Sequence, residues 1–135
     1  MSTNEHAGRA LVDRRSEGGR CEVCGRLGTN VHHRMRQARP WNGANLLRVC
    51  GAGNASGCHG WIETHPGYAG VLGLIVLRGH DPATVPVFCK PVLFDRGWWL
   101  PDDEGMWHLA DRITTFISDE AVAALQDHLE SRRSP

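Results

Sequence analysis

Four of the chain's five cysteines lie between positions 21 and 58, and their spacing constrains how that stretch can fold. Cys21-Glu22-Val23-Cys24 is followed directly by Gly25. Two thiolates three positions apart, around a tight turn that glycine relaxes, can share one tetrahedral ion. The second pair, Cys50 and Cys58, brackets seven residues, wider than the usual knuckle gap of about two to four. Gly51, Gly53 and Gly57 make that loop pliant enough to return the chain. A chain of 135 residues builds one modest core, and small domains gain much of their folding free energy from such a metal. The expectation is one structural Zn²⁺ on Cys21, Cys24, Cys50 and Cys58. The open alternative leaves Cys58 a buried thiol and the site incomplete. Cys89, in Val87-Phe88-Cys89, reads as a small buried hydrophobe.

Cysteines grouped like this suit a reducing compartment better than a disulfide framework. The opening MSTNEHAGRA lacks the apolar core of a secretion signal. The longest apolar run, Val71 to Leu77, is broken by Gly73 and falls short of a membrane span. These features predict a cytoplasmic chain with no membrane partner.

The zero net charge hides an asymmetry. Residues 1–50 carry nine arginines against four acids, and residues 51–135 six basic residues against eleven acids. A basic half made of arginine alone suits phosphate, because the guanidinium fork pairs with it bidentately. A solvated basic surface accounts for the same count equally well.

The pattern predicts an α+β chain in three stretches. Residues 1–19 form a polar arm, with at most a short helix around Arg9 to Arg15. Residues 20–70 hold nearly all the cysteine and histidine chemistry. Residues 71–135 are a β-rich extension ending in a helix. Leu74–Leu77, Val85–Phe88, Pro91–Phe94, Trp98–Leu100 and Arg112–Ile117 read as short strands, with a hairpin turn at Asp95-Arg96-Gly97. Ser118 to Arg133 is the clearest helix, with Val122, Leu125 and Leu129 forming a narrow apolar stripe.

Val31-His32-His33-Arg34 lies between the two cysteine pairs. Adjacent side chains of a strand point to opposite sides, so His32 and His33 do not readily ligate one ion together. They can divide the work, one binding metal and the other taking a proton from water. A bare His-His pair is more often two surface side chains. Asn45, ahead of Leu46-Leu47-Arg48-Val49-Cys50, is in isolation a turn residue. His59 opens a short predicted helix that ends at Pro66. Neighbours on a helix diverge by roughly 100°, so Cys58 can face the zinc while His59 faces elsewhere. His59 and Glu63 share a face at i, i+4 and suit a hard divalent ion, and His65 lies well off it.

Taken in order, Cys-x-x-Cys, Val-His-His-Arg, Asn-Leu-Leu-Arg-Val-Cys and Cys-His-Gly-Trp-Ile resemble the HNH endonucleases, the ββα-metal nucleases. The continuation through His65-Pro66, Asp81-Pro-Ala-Thr-Val-Pro86 and a Trp-rich hairpin is similar to small zinc-knuckle HNH proteins of actinobacteria and their phages. The resemblance implies a ββα-metal HNH core with a zinc knuckle over residues 20–70, followed by short β hairpins and the C-terminal helix. It implies that His32 and His59 are metal ligands, that His33 is the general base, and that Asn45 holds the loop aligning that base. Relatives carry a further histidine where this chain has Glu63, so either Glu63 or water completes the site. The catalytic ion would be Mg²⁺, Mn²⁺ or a similar divalent ion. The substrate would be DNA, its flanking phosphates held by Arg34, Arg36, Arg39 and Arg48. A phage-encoded chain would act in the host cytoplasm.

Two other readings compete. A non-catalytic zinc module binding nucleic acid or protein shares the cysteine frame and the arginines but does not need His33. A nuclease subunit of a phage packaging assembly, or a self-associating chain, would use Trp98-Trp99 and the helix stripe as docking surfaces; tryptophans fill a small core equally well.

Overall fold

The computed structural model describes residues 4–36, 40–53 and 55–132. The helices are α1 (Glu5–Arg15), α2 (Gly57–Thr64), α3 (Pro66–Val71) and α4 (Phe116–Ser131). The strands are β1 (Asn30–His33), β2 (Leu46–Val49), β3 (Val87–Cys89), β4 (Gly97–Pro101) and β5 (Trp107–Leu109). They form two small antiparallel sheets, β1-β2 and β3-β4-β5. The chain is thus mixed α+β. Among the described residues no helix is long and apolar enough to cross a membrane.

Residues 4–19 form no free arm: the short helix considered around Arg9 to Arg15 is present and starts earlier, at Glu5. Asn4 caps α1 by accepting from the Ala7 amide, and Arg14 and Arg15 complement the dipole at its other end. Leu11 and Val12 are buried against Leu46 of β2, so the helix belongs to the body of the protein. Arg15 is buried too. Its fork grips both carboxylate oxygens of the buried Glu22 at 2.8 Å, and it donates to the Gly43 and Leu46 carbonyls. Glu22, inside the first cysteine pair, also accepts from the Arg48 amide. One buried ion pair therefore ties α1, the first knuckle and β2 together; buried charges are tolerated when so fully hydrogen-bonded.

The core lies between the β1-β2 hairpin, α2, α3, the second sheet and α4. Leu47, Val49, Ile62, Leu72, Leu74, Val87 and Leu125 are fully enclosed there. Pro66 ends α2 as expected, but it also starts α3, where its fixed φ and missing N–H suit the first helical turn. Leu74–Leu77 is not a strand. Its run supplies backbone partners instead, the Val76 amide donating to the Arg34 carbonyl. Pro91–Phe94 is a turn, so β4 pairs with β3. Arg112–Ile117 is likewise no strand: Thr115 and Ser118 form a reciprocal capping box that starts α4 at Phe116. On α4, Leu125 is buried, with Val122 and Leu129 half-buried beside it, so the expected stripe packs inward.

Candidate functional site

The first knuckle is a tight ribbon. The Cys21 amide donates to the Arg26 carbonyl, the Gly25 amide donates to the Cys21 carbonyl, and Gly25 takes φ +85°. In the second knuckle the chain turns back so closely that a Cβ on Gly51 would lie 2.0 Å from the Ser56 carbonyl oxygen; only glycine fits there, at φ +135°. The wide loop therefore still delivers Cys58, on the first turn of α2, to its partners. The sulfurs of Cys21, Cys24, Cys50 and Cys58 all lie within 4.8 Å of one another. Cys24 and Cys50 sulfurs are 3.6 Å apart, and the Cys24 and Cys58 amides donate to the Cys21 and Cys50 sulfurs at 3.4 Å. Amide donation to sulfur, the closeness of the four sulfurs and the burial of three of the cysteines fit a structural zinc. The four cysteines could hold such a metal. Hydrogen bonding with Cys21, foremost, holds the Cys24 thiol down to about 6. Cys89 stands apart, fully buried, and burial pushes its thiol up.

A second cluster forms on the other side of α2. One ligand atom each from His32, His59 and Glu63 lies within 4.8 Å of the others. The His32 and His59 rings meet edge-on with centroids 5.4 Å apart, and His59 Nε2 is 3.7 Å from Glu63 Oε1. His32 is buried, and its Nε2 lies 2.7 Å from the Leu74 carbonyl oxygen. That carbonyl can only accept, so the nitrogen carries the proton, leaving the Nδ1 lone pair for a ligand. A histidine held this way by a backbone carbonyl is the usual support of a metal-ligating imidazole. Burial pushes the His32 pKa down to about 3, with the Leu74 hydrogen bond opposing it, so the ring is neutral at neutral pH. His59 Nδ1 is buried without a hydrogen-bond partner among the described residues. An orphaned imidazole nitrogen costs free energy that an adjacent cation would recover. The residues present fit a divalent ion with mixed nitrogen and oxygen ligands.

His33 follows His32 on β1 and faces away from it; its ring meets Trp41 edge-on at 4.4 Å. Trp41 in turn lies beneath the Arg9 guanidinium at 5.0 Å, and α1 comes so close that a Cβ on Gly8 would sit 2.6 Å from the Trp41 carbonyl oxygen. Asn45 is buried in the short 3₁₀ turn before β2. Its Oδ1 accepts from the Met35 amide at 2.7 Å, and its Nδ2 donates to the Pro40 carbonyl at 3.0 Å. It thus staples both ends of the loop joining β1 to β2. His65 is stacked on Trp61 with its Nδ1 2.9 Å from the Trp61 carbonyl oxygen, away from the cluster's ligand set.

The four arginines expected to hold phosphate part company. Arg34 is wholly buried, and its guanidinium donates to the carbonyls of Gly73, Ala44, Pro82 and Val85 at 2.7–2.9 Å. Burial pushes its pKa down to about 10, which still leaves it charged at neutral pH. It is an internal clamp, not a phosphate contact, because its guanidinium is spent on four backbone carbonyls inside the protein. Arg48 is nearly as buried and pairs with Asp13, so it too is committed inside the protein. Arg39 lies outside the described residues. Arg36 remains: half its side chain is exposed, and its guanidinium meets Glu63 Oε2 at 2.7 Å, at the edge of the histidine cluster.

Trp41, Arg9 and the Leu74 carbonyl escaped the sequence reading. No periodicity or spacing marks them, since each reaches the site through tertiary contact. No protein-family model, curated protein or solved structure matches the chain.

Proposed function

We propose that the chain is a metal-dependent endonuclease of the HNH type, hydrolysing DNA phosphodiester bonds with His33 as general base. The observation that carries the reading is the convergence of His32, His59 and Glu63 on one point, with His33 next along the same strand and Asn45 pinning the following loop. The order of elements supports it: an antiparallel hairpin, β1-β2, followed by helix α2 that carries His59 and Glu63.

His32, His59 and Glu63 would hold one divalent ion of the Mg²⁺ or Mn²⁺ kind. When bound, such an ion supplies Lewis-acid neutralisation of charge on the phosphoryl and leaving oxygens. The chain's own residues do the rest. His33 takes a proton from water, whose oxygen bonds to phosphorus in line as the bond to the 3′ oxygen breaks. The leaving oxygen is protonated from solvent, giving 5′-phosphate and 3′-hydroxyl ends. Asn45 fixes the loop beside the base, and Trp41 limits how His33 can turn. Arg36, half-exposed at the rim, exchanges its contact with Glu63 for substrate phosphate, a positioning contact without sequence choice. The cysteine cluster holds Zn²⁺ and anchors the first turn of α2.

Cleavage of supercoiled plasmid, with and without added Mg²⁺ or Mn²⁺, tests the proposal on wild type and His33→Ala. Metal-dependent nicking or linearisation by wild type, lost in the variant, is the expected result. No cleavage by a zinc-loaded wild type would favour a non-catalytic zinc module, which the cysteine frame alone would satisfy.

A further inference from the structure

The end of α4 lies on the cysteine cluster. Nη1 of Arg132 donates to the sulfurs of Cys50 at 2.9 Å, Cys58 at 3.3 Å and Cys24 at 3.4 Å. Three sulfurs of four define one face of the cluster, and the guanidinium covers that face. The contact is reciprocated. Arg26, two residues past Cys24, donates to the backbone carbonyl of Arg132. A stack of His128 on Trp61, centroids 5.8 Å apart, joins the same helix to α2 one turn earlier.

Four thiolates around Zn²⁺ carry a net charge of minus two. Cys21, Cys50 and Cys58 are buried, where uncompensated charge is costly. A cationic donor on sulfur offsets that charge without displacing a ligand, and charge-assisted hydrogen bonds are the stronger kind. A basic residue near a helix C-terminus ordinarily finds its role in the helix dipole. Here its side chain instead spans to residues more than seventy positions earlier in the chain.

We propose that Arg132 is an outer support of the zinc-thiolate centre, and that it couples docking of the last turn of α4 to metal occupancy. The proposal rests on the cysteine cluster holding zinc and is independent of the nuclease reading. Because coupling is reciprocal, the arginine strengthens zinc retention and zinc strengthens docking of the helix end. All three contacts come from one guanidinium nitrogen, Nη1, so the cationic donor itself is the support, and a lysine ammonium can replace it in part.

The test uses the full chain as wild type, Arg132→Gln and Arg132→Lys. Zinc content is measured first. Zinc affinity then follows from competition with a chromophoric chelator, and amide hydrogen exchange is followed across α4 with and without zinc. Arg132→Gln should bind zinc ~10–100-fold more weakly, the usual cost of losing an outer-shell partner. Arg132→Lys should recover part of that loss. Removing zinc from wild type should speed exchange in the last turn of α4 more than in its first, and Arg132→Gln should abolish this difference. Wild-type zinc affinity in Arg132→Gln, or exchange in the last turn that ignores zinc, overturns the proposal. Equal loss in the Lys and Gln variants overturns the role of cationic support. Absence of zinc from wild type overturns the centre itself, and the coupling with it.

Discussion

Cys58 and His59 are consecutive residues of α2 whose side chains join different clusters: Cys58 lies with three other cysteines, and His59 with His32 and Glu63. The helical offset of roughly 100° between neighbours makes this possible. One short helix thereby serves a site suited to structural zinc on one side and a more open nitrogen-oxygen site on the other. The metal-ready frame fixes the first turn of α2, and that turn sets the direction of His59.

Purified protein should contain one zinc per chain, and Cys58→Ser should lose it together with much of its stability. Elemental analysis and thermal unfolding check both. Full zinc in Cys58→Ser would mean that the wide second loop does not deliver a ligand.

Asn45→Ala should stay folded yet lose at least ~10-fold in cleavage rate, because the side chain holds the loop ends at Met35 and Pro40 rather than filling the core. Losing these buried hydrogen bonds should also cost about 1–3 kcal/mol. Wild-type turnover at equal metal occupancy would return Asn45 to the role of an ordinary turn residue.

Arg34→Met should destabilise the protein by roughly 3 kcal/mol, since it strands the buried carbonyls of Gly73 and Ala44 and removes the donor to Val85. Urea unfolding measures this. A variant as stable as wild type, with weakened DNA binding instead, would restore Arg34 to the phosphate-contact role that its burial argues against.

Stability should fall in acid partly through His32. Its folded pKa is depressed to about 3 by burial, below the unfolded value of about 6.5. Its contribution is therefore complete above about pH 6.5 and declines as pH falls towards 3, by at most about 1.4 kcal/mol per pH unit. Zinc release from the cysteines would add its own acid dependence, which His32→Gln should retain. The difference in slope between wild type and His32→Gln from pH 7 to 5 isolates the histidine. Parallel slopes would show that His32 is not held neutral in the fold.

The cysteine frame and the His59–Glu63 pair were legible in the sequence because both depend on local geometry: a tight turn and a helical repeat. The helix stripe of α4 was legible for the same reason. Arg34 was not, since a buried arginine satisfied by scattered carbonyls has the same local sequence as an exposed one. Arg112–Ile117 read as a strand through its β-branched residues, yet the Thr115–Ser118 capping box decided the boundary in favour of helix. The role of Leu74 was hidden because it acts through its backbone carbonyl, which carries no residue-specific signal.

The division of roles between His33 and His59 tests the central claim most directly, through plasmid-cleavage rate against Mn²⁺ or Mg²⁺ concentration in His33→Ala and His59→Ala. His33→Ala should reach half-maximal rate at about the wild-type metal concentration, with a plateau at least ~10²-fold lower, the usual size of a general-base contribution. His59→Ala should instead need more metal and regain part of its rate when metal is in excess. Rescue of His33→Ala by metal, or an unchanged metal dependence in His59→Ala, would contradict the assignment.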